Sequence, residues 1–218
     1  GSDITLSGLT VSGTISTDSS LVITGNLAVS GSFTASNGTT TMSVASKTIS
    51  WAGAIIFYSL KPTGTITVTA SFTITYSLDV VGSIAASAGT VTFTGSSLLN
   101  GVGNLYHVTI NGTSLTLAPS SVLGIAGNFT ITAGTLNVSS NTSNTVNFNG
   151  SGAQTVNAIT YNHLTLSNSN TKTAANAVTV NGNLTIGSSV TFASVSYTQK
   201  FYGNWINRGT LDRKSVVD

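Results

Sequence analysis

Cysteine is absent from the 218 residues, and so is glutamate. The first absence removes disulfides and thiolate metal ligands. The second leaves Asp3, Asp18, Asp79, Asp212 and Asp218 as the whole acidic set. Only 6% of residues are charged, against about a quarter in ordinary soluble domains. Seven basic residues give a net charge of +2, but residues 1–199 hold only Lys47, Lys61 and Lys172. Nucleic-acid binding needs clustered cations that displace counterions, so no nucleic acid is expected as a partner. Apolar runs are short as well: none approaches the roughly 18–20 residues of a membrane helix, and no transmembrane segment is expected. The 40% hydrophobic content opposes the low-hydrophobicity, high-charge signature of disorder. The two prolines, Pro62 and Pro119, are expected in turns.

What the chain does contain is repetition. "TVTFTGSS" at 90–97 and "TVNFNGSG" at 145–152 lie 55 residues apart. Tyr106 and Tyr161 share that offset, as do Gly127-Asn128-Phe129 and Gly182-Asn183-Leu184. Three matches at one offset define units at about 90–144 and 145–199. A looser unit precedes them at about 41–89, and residues 1–40 read as a partial one. A Gly-Asn-apolar signature also marks Gly25-Asn26-Leu27, Gly103-Asn104-Leu105 and Gly203-Asn204-Trp205.

Within the units the apolar period is two. Val178, Val180, Leu184 and Ile186 share one phase with Gly182, while Thr179, Asn181, Asn183 and Thr185 take the other. That is a strand with one buried face. Strand-like runs recur about every ten residues between Gly, Ser, Asn and Asp, and no amphipathic helix is evident. The reading is all-β. Near-identical strands at fixed spacing are what stacked coils demand, because each coil presents its side chain to the one below. A β-solenoid, and specifically a parallel β-helix, is expected over 1–207, with a charged tail or cap at 208–218. The phased glycines would sit at bends, the recurrent asparagines (26, 104, 128, 183 and 204) would form a ladder, and matching repeats would be successive layers of one stack. The alternative is a β-sandwich-type subunit of a surface filament.

The stretch "FNGSGAQTVNAITYNHLTLSNSNTKTAANAVTVNGNLTIGSSVTF" at 148–192 resembles the β-strand repeats of large prokaryotic cell-surface and adhesin-like proteins. Shared features are the Phe-x-Gly start, the Gln-Thr-Val, the Tyr-Asn-x-Leu-Thr-Leu and the Val-x-Gly-Asn-Leu-Thr close. The likeness covers 90–207 well and 1–89 loosely. It implies a parallel β-helical stalk outside the cell and brings no catalytic residue with it.

Candidate chemistry is thin. A polysaccharide-cleaving pair of carboxylates has little to draw on, since Asp79 is the only acid between 19 and 211; it reads as a turn residue. His107 and His163 could meet if coils stacked, yet a metal needs three or four ligands, and a structural role is expected for both. No Gly-x-Ser-x-Gly elbow occurs. Thus no catalytic residue, metal or cofactor is assigned, and the chain is read as a non-enzyme. Thr-x-Thr patterns at Thr65, Thr67, Thr69, Thr90, Thr92, Thr94, Thr130 and Thr132 offer an alternative, a flat ice-binding face, against ordinary β propensity. Trp51, Tyr197, Tyr202 and Trp205 are candidates for a partner contact or a core cap. Sequons at Asn37, Asn111, Asn128, Asn137, Asn141, Asn149 and Asn183 are candidate glycosylation sites. The expected role is structural: an extracellular stalk, or a surface filament or layer subunit. Its partners would be copies of itself, joined through unpaired strand edges, or another surface protein or glycan.

Overall fold

The computed structural model describes residues 4–50, 52–138 and 143–212. All regular elements among them are strands. They wind into a parallel β-solenoid of about 11 turns. Hydrogen-bonded neighbours lie between 17 residues apart, as for Ile4 and Leu21, and 23 apart, as for Val122 and Thr145. A sandwich of hairpins would pair antiparallel neighbours, so that alternative is excluded.

Each coil contributes one strand segment to each of three walls. Wall one begins with Ile4–Leu6, wall two with Leu9–Val11 and wall three with Thr14–Thr17. Later strands such as Ser32–Met42 and Ala54–Pro62 turn a corner and serve two walls. At the corner between walls three and one the backbone reverses through positive φ, at Gly38, Gly95 and Gly134 (+71°, +69° and +80°). There a Cβ on Gly134 would stand 2.2 Å from the Gly112 carbonyl oxygen one coil earlier. Only glycine lets consecutive corners approach so closely.

Inward side chains form columns along the axis. Wall one carries Leu60, Leu78, Leu99 and Leu117 in register. Wall three carries Ala35, Phe57, Ile74, Phe93, Ile110 and Ile131. Nearly all are fully buried. Each large aliphatic or aromatic side chain removed from water stabilises by about 1.5–3 kcal/mol, and like residues stacked about 4.8 Å apart fill the interior without gaps. Thr40 breaks the pattern: it sits on the leucine column between Leu21 and Leu60, and its buried Oγ1 has no hydrogen-bond partner.

The two copies of the 55-residue repeat occupy different walls. Thr90–Phe93, residues 107–110 and residues 129–131 lie on consecutive coils of wall three. Their counterparts Thr145–Phe148, His163–Leu166 and Leu184–Ile186 lie on consecutive coils of wall two. One repeat therefore spans eight strand segments, one wall short of three turns. The matching stretches do belong to one stack, each copy spanning nearly three coils, but the second copy falls on the preceding wall and not directly above the first.

The three walls are not equally continuous. Wall two runs unbroken past Val122–Ile125 onto Thr145–Phe148. Among the described residues, no ladder joins Phe129–Asn137 to the strands that follow on walls one and three. Those strands form two separate small sheets, one from Gln154–Val156 and the other from Thr160–Tyr161. A cavity of about 640 Å³ lies at this break, between residues 134–138 and 157–160.

Candidate functional site

Gln154 and Lys172 occupy the break from the inside. They are register partners on wall three, facing inward where other coils place apolar side chains. Phe192 follows Lys172 in the same column. The Lys172 side chain is fully buried, and its Nζ donates to the carbonyl oxygens of Gly150 (2.7 Å) and Gly152 (3.0 Å) and to Gln154 Oε1 (2.8 Å). Three donors meet three acceptors, all neutral. Burial without a carboxylate partner pushes the lysine pKa down to about 8. Gln154 Oε1 also accepts the Gly150 N–H at 2.9 Å, while Nε2 donates to Ile125 O (2.8 Å) and Gly127 O (2.7 Å). This polar bridge spans three coils and, through Gln154, crosses the step where ladder bonds are missing. Sequence reading missed it, because "AQTV" and "NTKTA" look like ordinary strand text until register places their long polar residues inside.

The histidines have a different task. His107 Nδ1 accepts the Asn128 N–H at 2.9 Å, and His163 Nδ1 accepts the Asn183 N–H at 2.8 Å. Each ring lies over the glycine before that asparagine: a Cβ on Gly127 or Gly182 would fall 2.5 Å from the ring nitrogen. At Gly127-Asn128 and Gly182-Asn183 an imidazole from the preceding coil thus replaces a backbone acceptor. Asn26 does the same for the Thr48 N–H (3.1 Å) and Asn183 for the Asn204 N–H (3.1 Å). The two histidines stand on different walls and do not meet. No group of three metal-ligating side chains occurs among the described residues. The expected asparagine ladder is also absent in that form. Asn104 Oδ1 accepts from Asn149 Nδ2 (3.3 Å) across Gly124, whereas Asn128 is exposed.

The threonines called from Thr-x-Thr doublets separate. Thr65 and Thr67 lie on wall two, with Thr69 just beyond that strand. Thr90 and Thr92 lie on wall three, with Thr94 at its corner, and Thr130 and Thr132 lie in Phe129–Asn137. Register assembles another row: Thr73, Thr92, Thr109 and Thr130 stack on four successive coils of wall three. Thr75 and Thr94 flank it, their hydroxyls directed at carbonyls of the preceding coil (Phe57 O at 3.4 Å and Ile74 O at 3.5 Å). Thr73 and Thr109 were overlooked because the signal is an offset of 17–21 residues between coils, not a doublet within one.

Asp79 lies within the strand Phe72–Ala86, not in the turn expected of it. It faces outward, 3.7 Å from Lys61 Nζ, and accepts from Asn100 Nδ2 at 2.8 Å. Pro119 lies in a turn, while Pro62 ends a strand. Tyr202 and Trp205 are exposed and Tyr197 is half-buried. Trp205 follows Leu184 in an inward column and its ring lies 6.0 Å from that of Phe201, so it covers core at the last described coil. Trp51 and Asn141 lie outside the described residues. Of the other sequons, Asn37, Asn111 and Asn128 are exposed, whereas Asn137, Asn149 and Asn183 are half-buried. Tyr58 and Tyr76 stack face to face with centroids 4.9 Å apart and rings within 6° of parallel.

No helix among the described residues is long and apolar enough to cross a membrane. No protein-family model, no curated protein and no solved structure matches the chain.

Proposed function

We propose that this chain is a non-enzymatic structural protein of the cell surface, serving as a stalk or as a self-associating subunit of a filament or layer. The observation that carries this reading is the unbroken ladder of wall two through the described coils, most of whose outward side chains are uncharged. A parallel ladder of this length makes a stiff rod, and walls nearly free of charge let rods lie side by side without repulsion. The likeness of 148–192 to surface-protein repeats agrees with it. If the organism glycosylates its surface proteins, the exposed Asn37, Asn111 and Asn128 are the acceptors this reading favours. Negative-stain electron microscopy across a protein concentration series is the test. Filaments or sheets that grow with concentration support self-association; isolated short rods at every concentration leave the stalk and remove the filament.

A second reading rests on the threonine row of wall three, Thr73, Thr92, Thr109 and Thr130, with Thr75 and Thr94 beside it. Hydroxyls and methyls repeated about every 4.8 Å on a flat parallel sheet suit an ordered water lattice, hence ice. Inhibition of ice recrystallisation by the purified chain, lost on Thr92→Tyr, would support it. No inhibition at any concentration ends it.

A further inference from the structure

We propose that Lys172 and Gln154 join covalently, the lysine amine displacing ammonia from the glutamine carboxamide to leave an isopeptide staple between two coils. Lys172 is a buried nucleophile with no part in the structural role proposed above. Lys172 Nζ lies 2.8 Å from Gln154 Oε1, one bond from the carbon to be attacked. Register fixes the two side chains next to each other on adjacent strands, and burial leaves neither room to leave. Fixed proximity of this kind is worth effective concentrations of about 10⁵–10⁸ M.

The surrounding groups suit the step. A nucleophilic amine must be neutral, and its lowered pKa of about 8 leaves roughly a tenth of molecules unprotonated at neutral pH. The groups bonded to it, Gly150 O, Gly152 O and Gln154 Oε1, carry no charge, so no carboxylate holds the proton in place. As Nζ bonds to Cδ, negative charge develops on Oε1, where the Gly150 N–H already donates at 2.9 Å in the manner of an oxyanion donor. One proton passes from Nζ to Nε2, which becomes the leaving nitrogen. The carbonyls of Ile125 and Gly127, 2.8 and 2.7 Å away, stabilise the positive charge it gains. The Cδ–Nε2 bond then breaks, ammonia departs past the exposed turn at 151–153, and Nζ remains as a secondary amide. Atoms and charge balance without an oxidant or a co-reactant.

Intact-mass spectrometry of the full chain, purified from a host that does not glycosylate it and incubated at pH 7 and pH 9, tests this directly. The expected result is a species lighter than the sequence mass by one ammonia, accumulating faster at pH 9. After digestion it should yield a branched peptide that joins the segments around 154 and 172, with no tryptic cleavage after Lys172. Lys172→Arg should stay at the sequence mass. Because that variant could fail to fold, wild-type chain held in denaturant from isolation onward serves as a second control and should also keep its full mass. A folded wild-type chain that retains the sequence mass after days at pH 9 and is cut after Lys172 overturns the proposal, leaving the pair hydrogen-bonded only.

Discussion

A buried hydroxyl in a leucine column is a local misfit with a measurable cost. Thr40 Oγ1 is desolvated and unpartnered, so Thr40→Val should raise the unfolding free energy by about 1 kcal/mol, read from urea midpoints at unchanged slope. The His–Gly contact runs the other way. Removing the acceptor in His107→Ala should cost about 1–2 kcal/mol, because the Asn128 N–H loses its partner. Gly127→Ala should also destabilise, its Cβ meeting the imidazole. Yet in the double variant the ring is gone and the methyl has space, so a cycle of the four proteins should return a coupling well above 0.5 kcal/mol. Strict additivity would mean the ring and the glycine do not meet. These roles were half legible in the sequence. The recurrence of Gly-Asn signalled a constraint, and histidine at equivalent places in two copies pointed to structure over chemistry. What could not be read was the direction of the bond, because donor and acceptor lie about twenty residues apart and only register brings them together.

At the level of the strand, period-two alternation identified wall segments such as those around 91–95, 125–131 and 178–186, since one face of each strand meets the core and the other meets water. Alternation says nothing about which coil lies above which. That is why Thr73 and Thr109 escaped notice and why Lys172 was counted with the cations and given no place inside. Corner-turning strands such as His107–Leu117 were likewise invisible as single elements: the corner costs one glycine or one bulge and leaves the alternation intact on both sides. Columns of like residues make truncation expensive. Phe93→Ala, on a column between Ile74 and Ile110, should lose about 3–5 kcal/mol, because coils tied by ladders on both sides cannot collapse into the space. Urea denaturation measures this, and a loss under 1 kcal/mol would mean that the coils readily shift to fill the gap.

For the molecule as a whole, about 11 coils stacked some 4.8 Å apart make a rod about 50 Å long, which small-angle X-ray scattering of dilute protein should report as an elongated cross-section-limited particle. The solenoid class was legible because repeats, scarce charge and missing helices all point one way. The break in walls one and three was not, since nothing in the local text after Phe129–Asn137 distinguishes a lost ladder from a longer loop. Above the break and below it walls one and three rest on different sheets, while wall two stays in one. Native-state hydrogen exchange should therefore show strands 154–161 opening more readily than the wall-two strand Thr145–Phe148, and equal protection would mean that the missing ladders do not weaken walls one and three.

The eight-segment repeat carries a consequence for how such a chain can grow. A copied unit does not land above its parent but one face round, so each wall must accept what another wall was built from. Lengthening by duplication then behaves like the turning of a screw. Any feature borne by the unit, a sugar or a sticky edge, would advance around the shaft as it climbs and would face its original direction again only at the fourth copy. A protein made this way has no front and no back, and its neighbours can meet it from any side.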